Sequence, residues 1–126
     1  MEHPPDDSVE ELLSAARTAT GDELRSLTYF TEEDVQQLYL RSDLSRTADL
    51  VGFAESERHG FHAQSLYADT QLGDYQFTVR VFENGYLTRV IDNGHGVWVT
   101  TDSMEIDRFE ELASALASVL RSFDSA

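Results

Sequence analysis

Lysine is missing from this 126-residue chain: all nine basic residues are arginine, set against 24 acidic ones for a formal net charge of −15. A chain without lysine cannot build the phosphate loop that ends in Lys-Ser or Lys-Thr. Cysteine is missing as well, which excludes disulfides, thiolate metal sites and every cysteine nucleophile. No apolar run approaches the roughly 18 residues that span a bilayer. The start, Met1-Glu2-His3-Pro4-Pro5-Asp6-Asp7, is acidic and proline-bearing where a secretory signal is basic and then apolar. These absences lead to the expectation of a cytoplasmic protein that makes no membrane contact. Scattered arginines on an acidic surface would repel phosphate backbones, so nucleic acid is not an expected partner.

The chain nevertheless carries what a core requires: 40% of its residues are hydrophobic and 10% aromatic. They are too many and too regularly spaced for an acidic disordered segment. A charge this one-sided opposes a compact state by self-repulsion unless salt screens it over a few ångströms. The composition therefore describes a solvent, the cytosol of a halophile, and names no reaction. The length fits one domain with one sizeable core.

Residues 1–7 read as a loose leader before a single domain at 8–126. Ser8-Val9-Glu10-Glu11 fits a capping box, opening a helix whose Val9, Leu12, Leu13 and Ala16 form an apolar stripe and which ends near Thr20-Gly21. Residues 24–41 admit two readings. As a helix, Thr31-Glu32-Glu33-Asp34 would start it, with Val35, Leu38 and Tyr39 on one face. As a hairpin, residues 24–30 and 35–41 are strands joined by a polar four-residue connection, and this reading is adopted. A second helix is expected at 45–58, with Ala48, Leu50, Val51, Phe53 and Ala54 on its buried side, and a loop over 60–73. Residues 75–83 alternate, Asn84-Gly85 is a strong two-residue turn signal, and 86–91 run back. Residues 92–96 then turn again, and 97–101 complete a three-stranded meander. A last helix starts at Asp102 or Ser103, with Ile106, Phe109, Leu112, Ala113, Leu116, Leu120 and Phe123 at helical spacing to the end of the chain. The expected class is α+β, with about five antiparallel strands and three helices in the order αββαβββα.

A two-residue loop at Asn84-Gly85 pairs Glu83 with Tyr86 and sets Arg80 opposite Arg89. One face of the meander then carries Tyr75, Phe77, Val79, Val81 and Val90. The other carries Phe82, Leu87 and Ile91 around the arginine pair. A sheet apolar on both sides needs cover on both sides, from helices or from another subunit. Facing arginines repel unless carboxylates or an anion come between them. The chain's own acids are one answer. An anionic ligand or an acidic partner laid over that face is the other, with Arg80, Arg89, Phe82, Leu87 and Trp98 as the candidate binding residues.

No Gly-x-Ser-x-Gly elbow, His-Glu-x-x-His helix or dinucleotide fingerprint occurs, and no residue is assigned a catalytic role. His59 and His62, with Glu55 and Glu57 just before them and His95 in a later turn, could gather around a divalent metal. Gly60 is expected to break the helix between the two histidines, and acidic neighbours occur throughout this composition, so no metal or other cofactor is expected. Asp92-Asn93-Gly94-His95-Gly96 lacks the alternating acids and closing glutamate of a calcium loop and reads as a turn.

The runs Leu24-Arg25-Ser26-Leu27, Leu38-Tyr39-Leu40-Arg41-Ser42-Asp43-Leu44 and Val81-Phe82-Glu83-Asn84-Gly85-Tyr86-Leu87-Thr88-Arg89-Val90 resemble those of a family of small uncharacterised proteins from halophilic archaea. The resemblance covers about residues 20–122, and that family is a domain of unknown function, so it implies no activity. The order αββαβββα is in turn similar to that of roadblock and related profilin-like domains. That likeness implies pairing into dimers and service as a platform for small GTPases. Together these readings describe a non-catalytic interaction or regulatory module, paired with itself or with another acidic protein. The alternatives are a small-ligand sensor with a pocket on the sheet beneath residues 60–73, and an enzyme using histidine and metal.

Lowering ionic strength from about 1 M to about 0.1 M lengthens the screening distance from about 3 Å to about 10 Å. The carboxylates then act on one another, so the melting temperature followed by circular dichroism is expected to fall on dilution from molar potassium chloride. A flat or rising value refutes the halophilic reading.

Overall fold

The computed structural model describes residues 6–44, 57, 60, 71–92, 94–105 and 107–123. Helix α1 spans Asp6–Thr20. It begins before the expected capping box, so Ser8 lies inside the first turn; acidic residues suit the positive end of a helix dipole, and the Asp-Asp-Ser run can open a helix earlier than Ser8 alone. Its far end closes where the sequence indicates, with the Thr20 hydroxyl donating to the Ala16 carbonyl at 2.7 Å. A 3-10 turn, Gly21–Glu23, leads into strand β1, Leu24–Phe30, followed by β2, Val35–Leu40.

The hairpin reading of residues 24–41 holds. Phe30 pairs with Val35, the Thr31 N–H donates to the Asp34 carbonyl at 2.8 Å, and the Thr31 hydroxyl accepts from the Asp34 N–H at 3.1 Å. Burial explains why strand wins over helix. Every residue of β1 except Arg25 is buried, and a strand can bury two faces at once where a surface helix buries one stripe.

Strands β3 (Thr78–Phe82), β4 (Gly85–Asp92) and β5 (His95–Thr101) form the meander, and the whole sheet runs β2-β1-β5-β4-β3. Its two turns treat the same Asn-Gly signal differently. In the second, Asp92 faces His95, with Gly94 between them at φ +78°. In the first, Phe82 pairs with Gly85, so Glu83 and Asn84 are the loop. Gly85 lies in the strand, so close to β5 that a Cβ there would collide with the Thr101 carbonyl oxygen, and only glycine fits. The expected register is corrected accordingly: Arg80 faces Leu87 and Arg89 faces Thr78. Moving the turn by one residue moves each cross-strand partner by two, which leaves the side chains of β3 and β4 on their predicted faces; Tyr75, which lies before β3, is corrected to the arginine face, where its hydroxyl accepts from Arg89.

Helix α2, Asp107–Arg121, packs with α1 on the face that carries Leu27, Tyr29, Val90, Val97 and Val99. Phe109, Leu112, Ala113, Leu116 and Leu120 are its buried residues, as the spacing indicates; Ile106 lies outside the described residues. The helix starts later than Asp102 or Ser103. Asp102 is engaged by arginine and Met104 is buried in the core, so the segment before Asp107 is held in another conformation. On the opposite face Phe30, Leu87, Ile91 and Trp98 form a second buried cluster. The helix expected at 45–58 falls outside the described residues except for Glu57. Both Glu57 and Gly60 are helical, so Gly60 does not break the backbone at that point. The described residues show two complete α-helices flanking five strands, where the sequence reading counts three helices; the middle one falls on residues of which only the helical Glu57 is described.

One end of the sheet is tied by arginine. Arg41 grips both oxygens of Asp102 at 2.7 and 3.2 Å, holds Asp43 at 2.6 Å and donates to the Asp22 carbonyl at 3.1 Å. Arg108 joins Glu23 at 2.8 Å and the Ala19 carbonyl at 3.1 Å. The turn after α1, the end of β2 and the segment after β5 are thereby fastened together. The hydrogen bond from Arg41 holds the Asp102 carboxyl below its ordinary range. Asp102 is thus harder to protonate folded than unfolded, so its contribution to stability is present above the ordinary carboxylate pKa and is lost as pH falls below it. Because the Asp102 side chain is 41% exposed, Asp102→Asn is expected to cost about 1 kcal/mol at neutral pH. That difference should fade as pH drops below about 4; urea denaturation across the acid range measures it, and a deficit that persists in acid refutes the assignment.

Candidate functional site

The second face of the meander sets its residues in rows, Thr78 beside Arg89 beside Trp98, and Arg80 beside Leu87 beside Thr100. Arg80 and Arg89 are thus diagonal neighbours on one face. Glu57 stands between them. Its Oε2 accepts from Arg80 Nε at 2.7 Å, and its Oε1 accepts from Arg89 Nη1 at 3.1 Å. Arg89 Nη2 donates to the Tyr75 hydroxyl and to Thr78 Oγ1, both at 2.9 Å, and those two hydroxyls bond each other. Arg89 Nε has no partner among the described residues. Gly60 lies against this guanidinium so closely that a Cβ would meet Arg89 Nη1 at 2.5 Å. A small residue three positions after the acid, on the same helical face, is what lets the arginine reach it.

Burial decides what this cluster can do. Glu57 is 1% exposed and Arg89 is 6% exposed, whereas the Arg80 side chain is 42% exposed. A carboxylate so deeply buried is tolerable only when paired and hydrogen-bonded, and two guanidinium groups supply the pairing. The carboxylate that the two arginines demand therefore comes from the chain itself. Of the candidate binding residues, Arg89, Leu87 and Trp98 are buried, Trp98 against Phe30 with ring centroids 5.3 Å apart. Phe82 is 46% exposed and lines a cavity of about 330 Å³ with Arg25, Tyr86, Thr100 and Thr101. The face thus carries one carboxylate shared by two guanidinium groups, with Arg80 and Phe82 at its rim.

The histidine group is not assembled among the described residues. His95 is buried and its Nδ1 shares a hydrogen bond of 2.6 Å with the Tyr29 hydroxyl, its ring packed on Phe123 at 5.0 Å. Glu57, which the sequence sets beside the histidines, is committed to arginine. His59 and His62 lie outside the described residues. Among the described residues no three histidines or acids lie close enough to share a metal ion. The role of Glu57 had one legible signal, the need for an acid between two arginines on one face, with Gly60 marking the close approach.

The fold matches those of known structures. The fold is shared with the gliding protein MglB from Thermus thermophilus, at a TM-score of 0.66 and 15% identity, covering 96% of this chain and 94% of that one. It is shared with Myxococcus xanthus MglB, at 0.63 and 11% identity over 97% and 96%, and with an MglB described as having a tetrameric arrangement, at 0.64 and 17% identity over 96% and 93%. The chain thus shares an MglB-like α+β fold, with a five-stranded antiparallel sheet. It belongs to the family described as domain of unknown function (DUF7522), whose pattern matches residues 10–121. No curated protein matches the sequence.

Removing Glu57 leaves Arg89 buried and unpaired, so Glu57→Ala is expected to cost about 3–5 kcal/mol. Arg80→Ala, on a half-exposed partner, should cost no more than about 1 kcal/mol. Guanidinium denaturation separates the two, and equal effects would show that Glu57 does not anchor the cluster.

Proposed function

We propose that the chain is a non-catalytic interaction module of a salt-rich cytoplasm that pairs with a second copy of itself through edge strand β3. The state of that edge carries the reading. Among the described residues β3 has a strand neighbour on one side only, and it presents Val81 at 73% exposure and Phe82 at 46%. Soluble proteins ordinarily blunt such an edge with charge, proline or a cover. The other edge strand, β2, shows no comparably exposed large apolar residue. Two copies of β3 meeting antiparallel about a twofold axis would continue the sheet and cover both apolar rims. The Glu57 cluster supports this by bracing β3 from behind through Arg80. The fold shared with MglB, one example of which is described as tetrameric, supports association as the mode of action, and the roadblock likeness makes a small GTPase the partner class to test.

Light scattering after gel filtration in molar potassium chloride should give the mass of a dimer, and Phe82→Asp should return the mass of one chain with an unchanged circular dichroism spectrum. A wild-type protein that stays monomeric at every concentration defeats the proposal.

A further inference from the structure

Two cavities on the helix side of the sheet join into one groove. The first, about 750 Å³, is floored by Phe77, Val79, Val81 and Tyr86, with Asp107 and Glu110 on its rim. The second, about 570 Å³, shares Phe77 and Glu110 with the first and continues past Ala113, Ser114 and Ala117 to Arg121. One wall is the outward side of α2 and the other is the chain from Asp74 to Val81. From Asp107 to Arg121 the groove runs about 21 Å at the helical rise per residue, the length of a helix of about 14 residues. Tyr86 and Phe109 lock edge to face beneath its apolar end, with centroids 4.9 Å apart.

Charge selects the occupant. Asp74, Asp92, Asp107 and Glu110 border the groove, and the single cation lining it among the described residues, Arg121, is already held by Asp92 at 2.9 Å. The described residues of a second copy have little to offer in return. Each of the seven arginines in the described residues faces an acid or a ring of its own chain: Arg17 lies over Tyr39 at 4.9 Å, and Arg25, Arg41, Arg80, Arg89, Arg108 and Arg121 are ion-paired. The net charge of −15 adds repulsion.

We propose that this groove receives an amphipathic helix of a different protein, one that lays an apolar face on Val79, Val81 and Tyr86 and brings lysine or arginine to Asp107 and Glu110. This deepens the interaction-module reading and rests on it, but it uses the helix-side face of β3, with Val81 shared between the groove and the pairing edge. Self-pairing engages main-chain groups in the plane of the sheet, whereas Val79 and Val81 point to the helix side and Phe82 to the other.

Two fluorescent synthetic helices of about 14 residues, with the same leucine and alanine face but flanked by lysine in one and glutamate in the other, test it against the full chain. Anisotropy is read at the lowest salt that keeps the protein folded, with solution mass measured on the same samples. The lysine helix should bind and the glutamate helix should not. The double variant Asp107→Lys with Glu110→Lys should weaken the lysine helix by at least about tenfold and admit the glutamate one, Val79→Ser should weaken binding of the lysine helix through its apolar face, and Phe82→Asp should leave binding unchanged. Failure of the lysine helix to bind, equal binding of the two helices, or binding untouched by the groove variants overturns the proposal. A loss of dimer mass with peptide binding intact would instead count against self-pairing alone.

Discussion

A carboxylate with almost no access to water, Glu57, sits between two arginines, and the sheet's second face is organised around that contact. Alone, a buried carboxylate would be driven to protonate or to expel itself into solvent. Held by Arg80 and Arg89 it becomes a fastener between a helical segment and two strands at once. The partners are unequal: Arg89 is sealed in with hydroxyls for company, while Arg80 reaches out to the rim. The sealed half supplies the energetic penalty for disruption, and the open half ties that penalty to the edge strand.

Arginine serves throughout where lysine could not do the same work. A planar guanidinium can take two carboxylate oxygens and a carbonyl together, and Arg41 does so with Asp102, Asp43 and the Asp22 backbone. The arginines among the described residues are all engaged within the chain, six by acids and Arg17 by a ring. The chain's outward charge is consequently close to unrelieved, which fits both a demand for salt and a preference for basic partners.

Periodicity made much of the fold legible. The alternation in the meander, the stripe of the last helix and the polar connection at Thr31–Asp34 each follow from one local rule, and each is present. What escaped were choices made by neighbours in space. Asn84-Gly85 looks like a turn until β5 is placed beside it, where the Thr101 carbonyl lies so close to the glycine that no Cβ fits. The start of α2 was displaced by Asp102, whose arginine lies 61 positions away. At the site, the arginines and the need for an acid between them were visible, but nothing in the run Glu55-Ser56-Glu57-Arg58 separates Glu57 from the other acids. Only its position over Arg89, with Gly60 giving room, does so.

The burial of both faces also bears on how the strands find their alignment. In a sheet with one wet side, a slip by one residue is rejected because it turns grease toward water. Here β4 is buried front and back, so greasiness alone hardly tells one alignment from its neighbour. Arg89 supplies the distinction. A one-residue slip would swing its guanidinium in among Leu27, Val97 and the helices, far from Glu57, and leave a charge stranded in oil. The buried ion pair thus acts as a key cut for a single lock, telling the front of the strand from the back.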